Sequence, residues 1–442
     1  MYARPQIQAE TEALLQETDA RPCWNLAKRI AFRFAFAYFI LYIIPFPVEF
    51  LPFTDSLTQK YTDFWQAVVP WIGRHILHLG YEITVFQNGS GDTTYNYVQV
   101  LCFLMMAAAA AMIWSALDRR RLSYERLHQW LRLYVRFSLA GAMIAYGAIK
   151  IIPLQMPAPY LTRLIEPYGD SSPMGLLWTF IGASKGFEIF TGCAEMLGGV
   201  LLIFPRTTTL GALVCLADTT QIFILNMCYD VPVKLYSFHL LIMSGFLIAP
   251  VLRRLASLFL FNRGVEAVRL PQLFHRRWLN GGALALQVLF GLYLIGSSFY
   301  GGYQRYKVHG EHAPKPPLYG IWSVDEFSVD GQARPPLLTD STRWQRAIFQ
   351  SPGSLTIQPM SGPNQGFRLD LNMENKTLSL GKRDDPDWKA DFTFDESEPG
   401  SITLEGELEG HRTYAKLIRV DESKFLLKSR GFHWVQEYPF NR

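Results

Sequence analysis

Long runs of apolar residues occupy the first two thirds of the chain, and short runs that alternate between apolar and polar residues follow them. Seven long runs approach ~20 residues, the length that an α-helix needs to cross the hydrocarbon core of a bilayer. We therefore predict an α-helical integral membrane bundle of about seven helices. The predicted spans are Arg29–Pro47, Tyr95–Leu117, Leu133–Ile152, Gly186–Phe204, Leu210–Asn226, Tyr229–Leu252 and Leu279–Tyr300.

The segment between the first two spans, Val48–Thr94, is too polar and too rich in proline to cross a bilayer. It contains Tyr61, Trp65 and Trp71, and these residue types are enriched where a membrane meets water. We expect this segment to lie at the outer interface.

After the proline-rich linker the pattern changes to period-two alternation, separated by turn-forming Gly, Asn, Asp and Pro. Such spacing is typical of an antiparallel sandwich or a small barrel. The predicted strands are Ile321–Val329, Trp344–Phe349, Ser354–Pro359, Phe367–Asn372, Thr377–Leu380, Ala390–Phe394, Ile402–Glu407, Thr413–Val420 and Phe425–Ser429. Trp322 in the first strand and Arg430 after the last resemble the lipocalin pattern, in which an early Trp plugs the barrel and a late Arg packs across it. The resemblance implies a lipocalin-like barrel, and a generic β-sandwich stays open as the alternative.

These patterns divide the 442 residues into five segments. They are a cytoplasmic N-terminal segment (1–28), an N-terminal membrane region with its interfacial loop (29–132), a membrane core (133–301), a linker (302–317) and an extracytoplasmic β domain (318–442).

The distribution of charge predicts how the chain is oriented in the membrane, and it argues against nucleic acid as a partner. The net charge is only +4, and the arginines cluster beside apolar runs instead of forming a basic face with interleaved aromatic residues. Nucleic-acid binding is therefore not expected. With the N-terminus in the cytoplasm, most loop Lys and Arg residues fall on the cytoplasmic side, as the positive-inside rule requires. Seven spans then place the β domain outside.

Candidate chemistry centres on ionisable groups inside the predicted spans, where they are costly and often functional. Glu188 and Glu195 are seven residues apart and share one helix face. With Gly192, Gly198 and Gly199 they form an acidic stripe that could admit a lipid headgroup, an ion or a quinone. The alternative is that both carboxylates pair with cations of neighbouring helices and fix the packing.

Five further ionisable residues belong to the same set. Asp218 lies on the next span, and His239 could relay protons because imidazole titrates near neutrality. Lys150 could either snorkel to the headgroups or pair with Glu188 or Glu195. Asp230 and Lys234 are four residues apart, a spacing that suits a local ion pair.

The loop before the second span, Gln87–Thr94, is rich in glycine but lacks the lysine of a phosphate-binding loop. We expect Asp92 or Thr93 to cap the helix that follows. The sequence predicts no metal site, since His75 and His78 have no evident third ligand.

Two stretches, Gly192-Cys-Ala-Glu-Met-Leu-Gly-Gly199 and Tyr229-Asp-Val-Pro-Val-Lys234, resemble the DoxX family of membrane proteins. The resemblance covers about Leu133–Arg254 and implies a four-helix membrane core in which Glu195 is the motif acid. It also implies a role in membrane sulfur and redox metabolism, as in thiosulfate:quinone oxidoreductase, or in oxidative-stress complexes. The chain departs from the family in its extra N-terminal spans, its β domain and its lack of a redox cysteine pair.

Three functions remain open from the sequence. The first is a bacterial inner-membrane subunit of a quinone-linked or redox-protective complex, with Glu188, Glu195, Asp218 and His239 around a polar cavity. The second is a non-catalytic scaffold, or a protein that handles lipids or small molecules through its β domain. The third is a proton-coupled transporter. Membrane lipid and protein partners are expected, with quinone as the candidate cofactor, and enzymatic activity stays undecided.

Overall fold

The computed structural model describes residues 23–86, 88–267, 272–311 and 313–441. Residues 1–22 of the predicted N-terminal segment therefore lie outside the described part. The chain forms two compact units: the described residues of Met1–Ile152 with Ile189–Gly302, and Pro153–Glu188 with Tyr303–Arg442.

Twelve α-helices occur in the described residues. They are α1 (Leu26–Ile43), α2 (Asp55–His75), α3 (Thr94–Leu117), α4 (Glu125–Ile151), α5 (Leu161–Leu164), α6 (Pro173–Gly182), α7 (Lys185–Ile203), α8 (Thr208–Cys228), α9 (Lys234–Ile248), α10 (Leu252–Phe259), α11 (Arg277–His309) and α12 (Leu426–Ser429).

Six helical segments of the described chain are long and apolar enough to cross a membrane, so the protein is a multi-pass membrane protein. They are Leu26–Phe50, Thr94–Leu117, Lys185–Ile203, Thr208–Cys228, Lys234–Phe259 and Arg277–His309. The remaining predicted span, Leu133–Ile152, coincides with the C-terminal part of α4 and its C-cap; this helix is long enough to cross but carries Arg132, Arg136 and Lys150.

Helix α4 is the central packing element of the first unit. Val135, Leu139, Ala140 and Ile144 on this helix are fully buried. A helix that other helices cover on most sides faces little lipid, so charged residues are tolerated when the bundle supplies them with partners.

The segment between the first two spans is more helical than we predicted. Helix α2 occupies much of it, with Trp65 buried against Phe103 and Trp71 exposed. One aromatic side chain of this segment therefore anchors it to α3, while the other faces outward.

The second unit contains a closed antiparallel barrel of eight strands with one short extra strand, β2. The strands are β1 (Gly320–Val329), β2 (Gln332–Ala333), β3 (Trp344–Phe349), β4 (Ser354–Pro359), β5 (Gln365–Asn372), β6 (Thr377–Gly381), β7 (Lys389–Glu398), β8 (Ser401–Leu408) and β9 (His411–Arg419). Neighbours in sequence pair in turn, and pairing of β1 with β9 closes the barrel. A barrel, and not an open sandwich, is therefore the observed fold.

The last predicted strand, Phe425–Ser429, is wrong. This stretch follows a 3₁₀ turn at Glu422–Lys424 and forms the single-turn helix α12. A strand there would have no free neighbour, because β3 and β9 already occupy both edges of β1.

The arginine that accompanies the early tryptophan also differs from our prediction. Trp322 is buried and donates from its indole N–H to the carbonyl of Leu318, 2.8 Å away. Its strand partner is Arg419 on β9, whose side chain packs beside Gly320. Arg430 instead stacks over Phe440 on the surface, so its predicted plugging role needs correction.

The loop between α4 and α7 groups with the barrel, a boundary that our division of the chain at residues 133–301 did not anticipate. Leu161 of this loop is buried together with Ile321 and Ile348 of the barrel. Glu188, at the loop's end, is buried and accepts a hydrogen bond from the backbone of Met156 at 2.9 Å.

Candidate functional site

A buried ion pair lies inside the helical unit. The ammonium of Lys150 on α4 donates to the carboxylate of Glu195 on α7 at 2.5 Å, and the two side chains are only 8% and 5% exposed. Of the two alternatives for Lys150, the structure therefore has pairing and not snorkelling. Removing water from both charges is expensive, so each depends strongly on the other.

Glycines allow the two helices to approach closely enough for this pair. A side-chain carbon at Gly192 would lie 2.7 Å from Cβ of Lys150 and 2.8 Å from the carbonyl oxygen of Gly147. One at Gly199 would lie 2.8 Å from Ile144, and one at Gly198 would lie 2.7 Å from Cys215 on α8. The space beside these three motif glycines is thus filled by neighbouring helices. They serve helix packing, and they do not line a ligand cavity.

Asp218 completes an ionisable cluster with this pair. It lies on α8 within electrostatic range of Glu195 and Lys150. Oδ2 of Asp218 and Oε2 of Glu195 are both buried, and no described residue hydrogen-bonds to either oxygen. Lys150 thus pairs with Glu195 alone, and one buried oxygen of each carboxylate accepts no hydrogen bond from a described residue.

His239 packs against aromatic side chains of α1. Its Nδ1 lies 2.6 Å from the carbonyl oxygen of Leu235, and its Nε2 lies 2.5 Å from the Tyr38 hydroxyl. A carbonyl only accepts, so Nδ1 carries the proton in the neutral ring and Nε2 accepts from Tyr38. The ring stacks on Tyr42 with 3.8 Å between centroids.

A cavity of about 720 Å³, which was not predicted from the sequence, lies in the same unit. Its volume is in the range of sites for small organic ligands. Tyrosine rings and side-chain amides line it, together with loop 88–91; the main polar and aromatic members are Tyr42, Tyr61, Gln66, Thr93, Tyr95, Asn96, Gln99, Tyr146 and Tyr236. The only signal in the sequence is that several of these tyrosines lie within apolar runs.

Residues that line the cavity contact both Lys150 and His239. Tyr146 lines it, and the ammonium of Lys150 lies 5.7 Å from the centre of the Tyr146 ring, within reach of a cation–π contact. Tyr42 lines it as well and stacks on His239. Tyr146 packs against Tyr236, with 5.9 Å between ring centres.

The glycine-rich loop forms one wall of the cavity and is fixed by Asp92. Of the two predicted cap residues, Asp92 and Thr93, it is Thr93 that caps α3, through reciprocal hydrogen bonds with Asn96. Asp92 instead accepts from the backbone N–H groups of Lys234 and Leu235, at 2.7 and 2.9 Å, and so caps α9.

The local pair predicted from spacing is present, since Lys234 donates to Asp230 at 2.8 Å. Lys150, Glu195 and Asp218 thus lie close together. Thr93 lines the cavity, and His239 stacks on the lining residue Tyr42. Glu188 lies elsewhere, against the backbone of Met156. No cluster of metal-binding residue types occurs among the residues that the structure describes.

Comparison with known proteins gives one informative match. The chain is 32% identical over 124 residues to the uncharacterized protein YwoB of Bacillus subtilis (strain 168); the match covers 28% of this chain and 79% of that protein. No family model and no solved structure matches.

Proposed function

The chain belongs to the same family as YwoB, and on that premise we propose that it is a bacterial membrane protein that binds a quinone in its tyrosine-lined cavity. In this proposal it is a DoxX-like subunit of a quinone-linked or redox-protective complex. It lies in the inner membrane with its N-terminus in the cytoplasm and its barrel in the periplasm. The distribution of Lys and Arg supports this orientation, which requires α4 to be a seventh crossing beside the six apolar segments.

The observation that carries the proposal is the position of Tyr146. This residue lines the cavity and lies beside Lys150, which pairs with Glu195. A ligand in the cavity is therefore separated from the ionisable cluster by one tyrosine side chain.

The lining residues fit a quinone ring. Flat aromatic side chains favour stacked or edge-on contact with another ring, and Tyr42 and Tyr236 supply such surfaces. The amides of Asn96 and Gln99 can donate hydrogen bonds to carbonyl oxygens. A bound quinone would supply two-electron, two-proton chemistry, with the electrons exchanged with a partner redox protein.

The chain's own residues would bind the ring and handle protons. Oε2 of Glu195 and Oδ2 of Asp218 are buried and have open acceptor positions, so either oxygen can hold a proton. Lys150 would stabilise the negative charge of Glu195, with which it pairs. The Tyr38 hydroxyl and Nε2 of His239 form a hydrogen-bonded pair, and the His239 ring stacks on the cavity residue Tyr42 and can orient it.

Native mass spectrometry with organic extraction tests the proposal on full-length protein purified in mild detergent. Val100→Trp places a large side chain in the cavity, and Met105→Trp makes the same change on the exposed face of the same helix. We expect near-stoichiometric quinone in the wild type and in Met105→Trp, and its loss in Val100→Trp. Equal quinone content in both variants, or none in the wild type, would refute the cavity as the site.

A scaffold role for the barrel is the second candidate, supported by an exposed aromatic cluster near the C-terminus. Phe432, Trp434 and Tyr438 project into solvent, and Trp434 is 90% exposed. The barrel interior itself is filled by side chains such as Phe327, Trp344 and Phe392. A protein partner on the outside is therefore favoured over a ligand within.

Cross-linking of the full chain in native membranes tests this second role. Under the scaffold function a defined partner is captured by the wild type and by Val100→Trp, and it is lost in Trp434→Ala. Capture that is unchanged in Trp434→Ala would remove the support for this role. Proton-coupled transport, the third hypothesis, predicts substrate flux in vesicles and has no separate observation in its favour.

A further inference from the structure

Two arginines on α4 lack an acidic partner. Arg132 and Arg136 are one helical turn apart and therefore share a face. Arg136 is only 7% exposed, and Arg132 is partly buried. Within the described ranges neither guanidinium forms an ion pair with a carboxylate. The helical unit thus contains two neighbouring positive charges without a counter-charge.

The contacts of these arginines are all to neutral groups. Arg136 donates to the hydroxyl of Thr208 at 3.2 Å and to the side-chain amide oxygen of Gln287. Arg132 donates to the carbonyl of Leu247 at 3.2 Å. The Nε atoms of both arginines are buried, and no described residue accepts from them.

The beginning of α8 adds positive potential at the same place. Thr208, which contacts Arg136, is the first residue of this 21-residue helix. The preceding residue, Thr207, makes no side-chain capping bond, and the first turn contains no acidic residue. The N-terminus of a helix carries a partial positive charge and exposes N–H groups that bind anions.

We propose that Arg132, Arg136 and the N-terminus of α8 form a binding site for a phosphate group. A buried charge without a partner is costly, so an anion here would stabilise the protein. Arginine's planar fork matches phosphate oxygens in two-point contacts. The phosphodiester of an anionic lipid is one source, since basic pockets between membrane helices bind such headgroups; free phosphate is the other. This site is separate from the tyrosine-lined cavity.

Thermal unfolding of delipidated full-length protein in a neutral detergent separates the two sources. The probes are phosphatidylglycerol, phosphatidylcholine and inorganic phosphate, each added over a concentration series. A lipid site predicts that phosphatidylglycerol raises the midpoint and that phosphatidylcholine at equal concentration does not. Stabilisation by inorganic phosphate at similar concentration would assign the site to a soluble anion. Stabilisation by no phosphate compound, or equally by phosphatidylcholine, would overturn the proposal.

Charge-removing variants locate the effect. Arg136→Gln and Arg132→Gln each remove one arginine of the site, and Arg206→Gln removes an exposed charge just before the same helix. We expect the apparent affinity for the phosphate probe to fall about tenfold in either site variant, because a charge-assisted hydrogen bond is lost, and to change less than about twofold in Arg206→Gln.

Arg132 is partly exposed, so Arg132→Gln keeps the test decisive even if Arg136→Gln does not fold. Equal weakening in Arg132→Gln and Arg206→Gln would show that the phosphate responds to general surface charge, and it would refute the site. Arg132→Lys provides the final discrimination: it keeps the charge but loses the fork, so its affinity should lie between those of the wild type and Arg132→Gln.

Discussion

Nζ of Lys150 lies 2.5 Å from Oε1 of Glu195. The pair joins α4 and α7, and glycines allow these two helices to approach closely. Both side chains are more than nine-tenths buried, and Asp218 lies within electrostatic range. This pair therefore determines how α4 and α7 pack, and it also supplies the ionisable groups next to Tyr146 and the cavity.

Breaking this pair from one side should be costly. Glu195→Gln leaves the Lys150 ammonium buried without its counter-charge, and we expect a loss of about 3 to 5 kcal/mol in the free energy of unfolding. The double variant Lys150→Met/Glu195→Gln removes both charges and should be more stable than Glu195→Gln alone. Denaturant or thermal unfolding in detergent measures both. If the double variant were less stable than Glu195→Gln, the main role of each charge would not be to compensate the other.

Close packing at Gly192 should make even one methyl group harmful. Gly192→Ala places a carbon 2.7 Å from Lys150 and 2.9 Å from the backbone nitrogen of Ile151. We expect a destabilisation of about 1 to 3 kcal/mol from overpacking. Gly245→Ala is the matched control, because its new methyl group meets no atom within 4 Å and alanine is the better helix former by about 1 kcal/mol. Equal effects in the two variants would argue against a close α4–α7 contact.

The cap that Asp92 gives to α9 should be measurable at individual amides. Asp92→Ala removes the acceptor for the N–H groups of Lys234 and Leu235. We expect a loss of about 0.5 to 2 kcal/mol, as for other helix caps, and faster hydrogen exchange at these two amides. Asp230→Asn removes the charge of the exposed pair with Lys234 and keeps a residue type that tolerates the left-handed backbone at this position, so it should cost less than about 0.5 kcal/mol. Unchanged exchange at both amides in Asp92→Ala would refute the cap.

Acid should selectively weaken one contact of the barrel. The hydrogen bond from His411, together with the backbone N–H of Arg412, holds the pKa of the Asp330 carboxyl below its usual range. A carboxyl whose pKa is lower in the folded state stabilises the fold above its unfolded-state pKa. That stabilisation is lost as pH falls through the folded-state pKa.

We therefore expect Asp330→Asn to lower the unfolding midpoint near neutral pH and to match the wild type in acid. Asp384→Asn, at an exposed barrel position, is the control and should leave the pH profile unchanged. A constant difference between Asp330→Asn and the wild type at every pH would show that ionisation of Asp330 is not involved.

Local patterns were sufficient for most of the fold. Length and apolarity located six of the seven predicted spans, and period-two alternation located all eight barrel strands within a few residues. The failures depend on long-range pairing. Phe425–Ser429 alternates like a strand, yet closure of β1 on β9 leaves it no neighbour. The same closure brings Arg419 to Trp322, and nothing local distinguishes Arg419 from Arg430.

The site was predicted only in part, for a similar reason. The sequence left Lys150 open between snorkelling and pairing with Glu188 or Glu195, and the structure pairs it with Glu195. The cavity was missed because separate helices contribute its tyrosines, and a tyrosine inside an apolar run resembles any other core residue. Asp92 likewise accepts from the backbone N–H of Lys234, 142 positions away in the sequence. Capping rules consider only neighbouring residues, so they could not predict this contact.

Equilibrium binding of a short-tailed quinone tests the central claim most directly. The dissociation constant would be measured for full-length protein in detergent, with the wild type, Val100→Trp and Met105→Trp compared in parallel. We expect saturable binding to one site in the wild type and in Met105→Trp, and affinity reduced at least about tenfold in Val100→Trp. Binding that is equal in all three proteins, or absent from all three, would contradict a quinone site in the tyrosine-lined cavity.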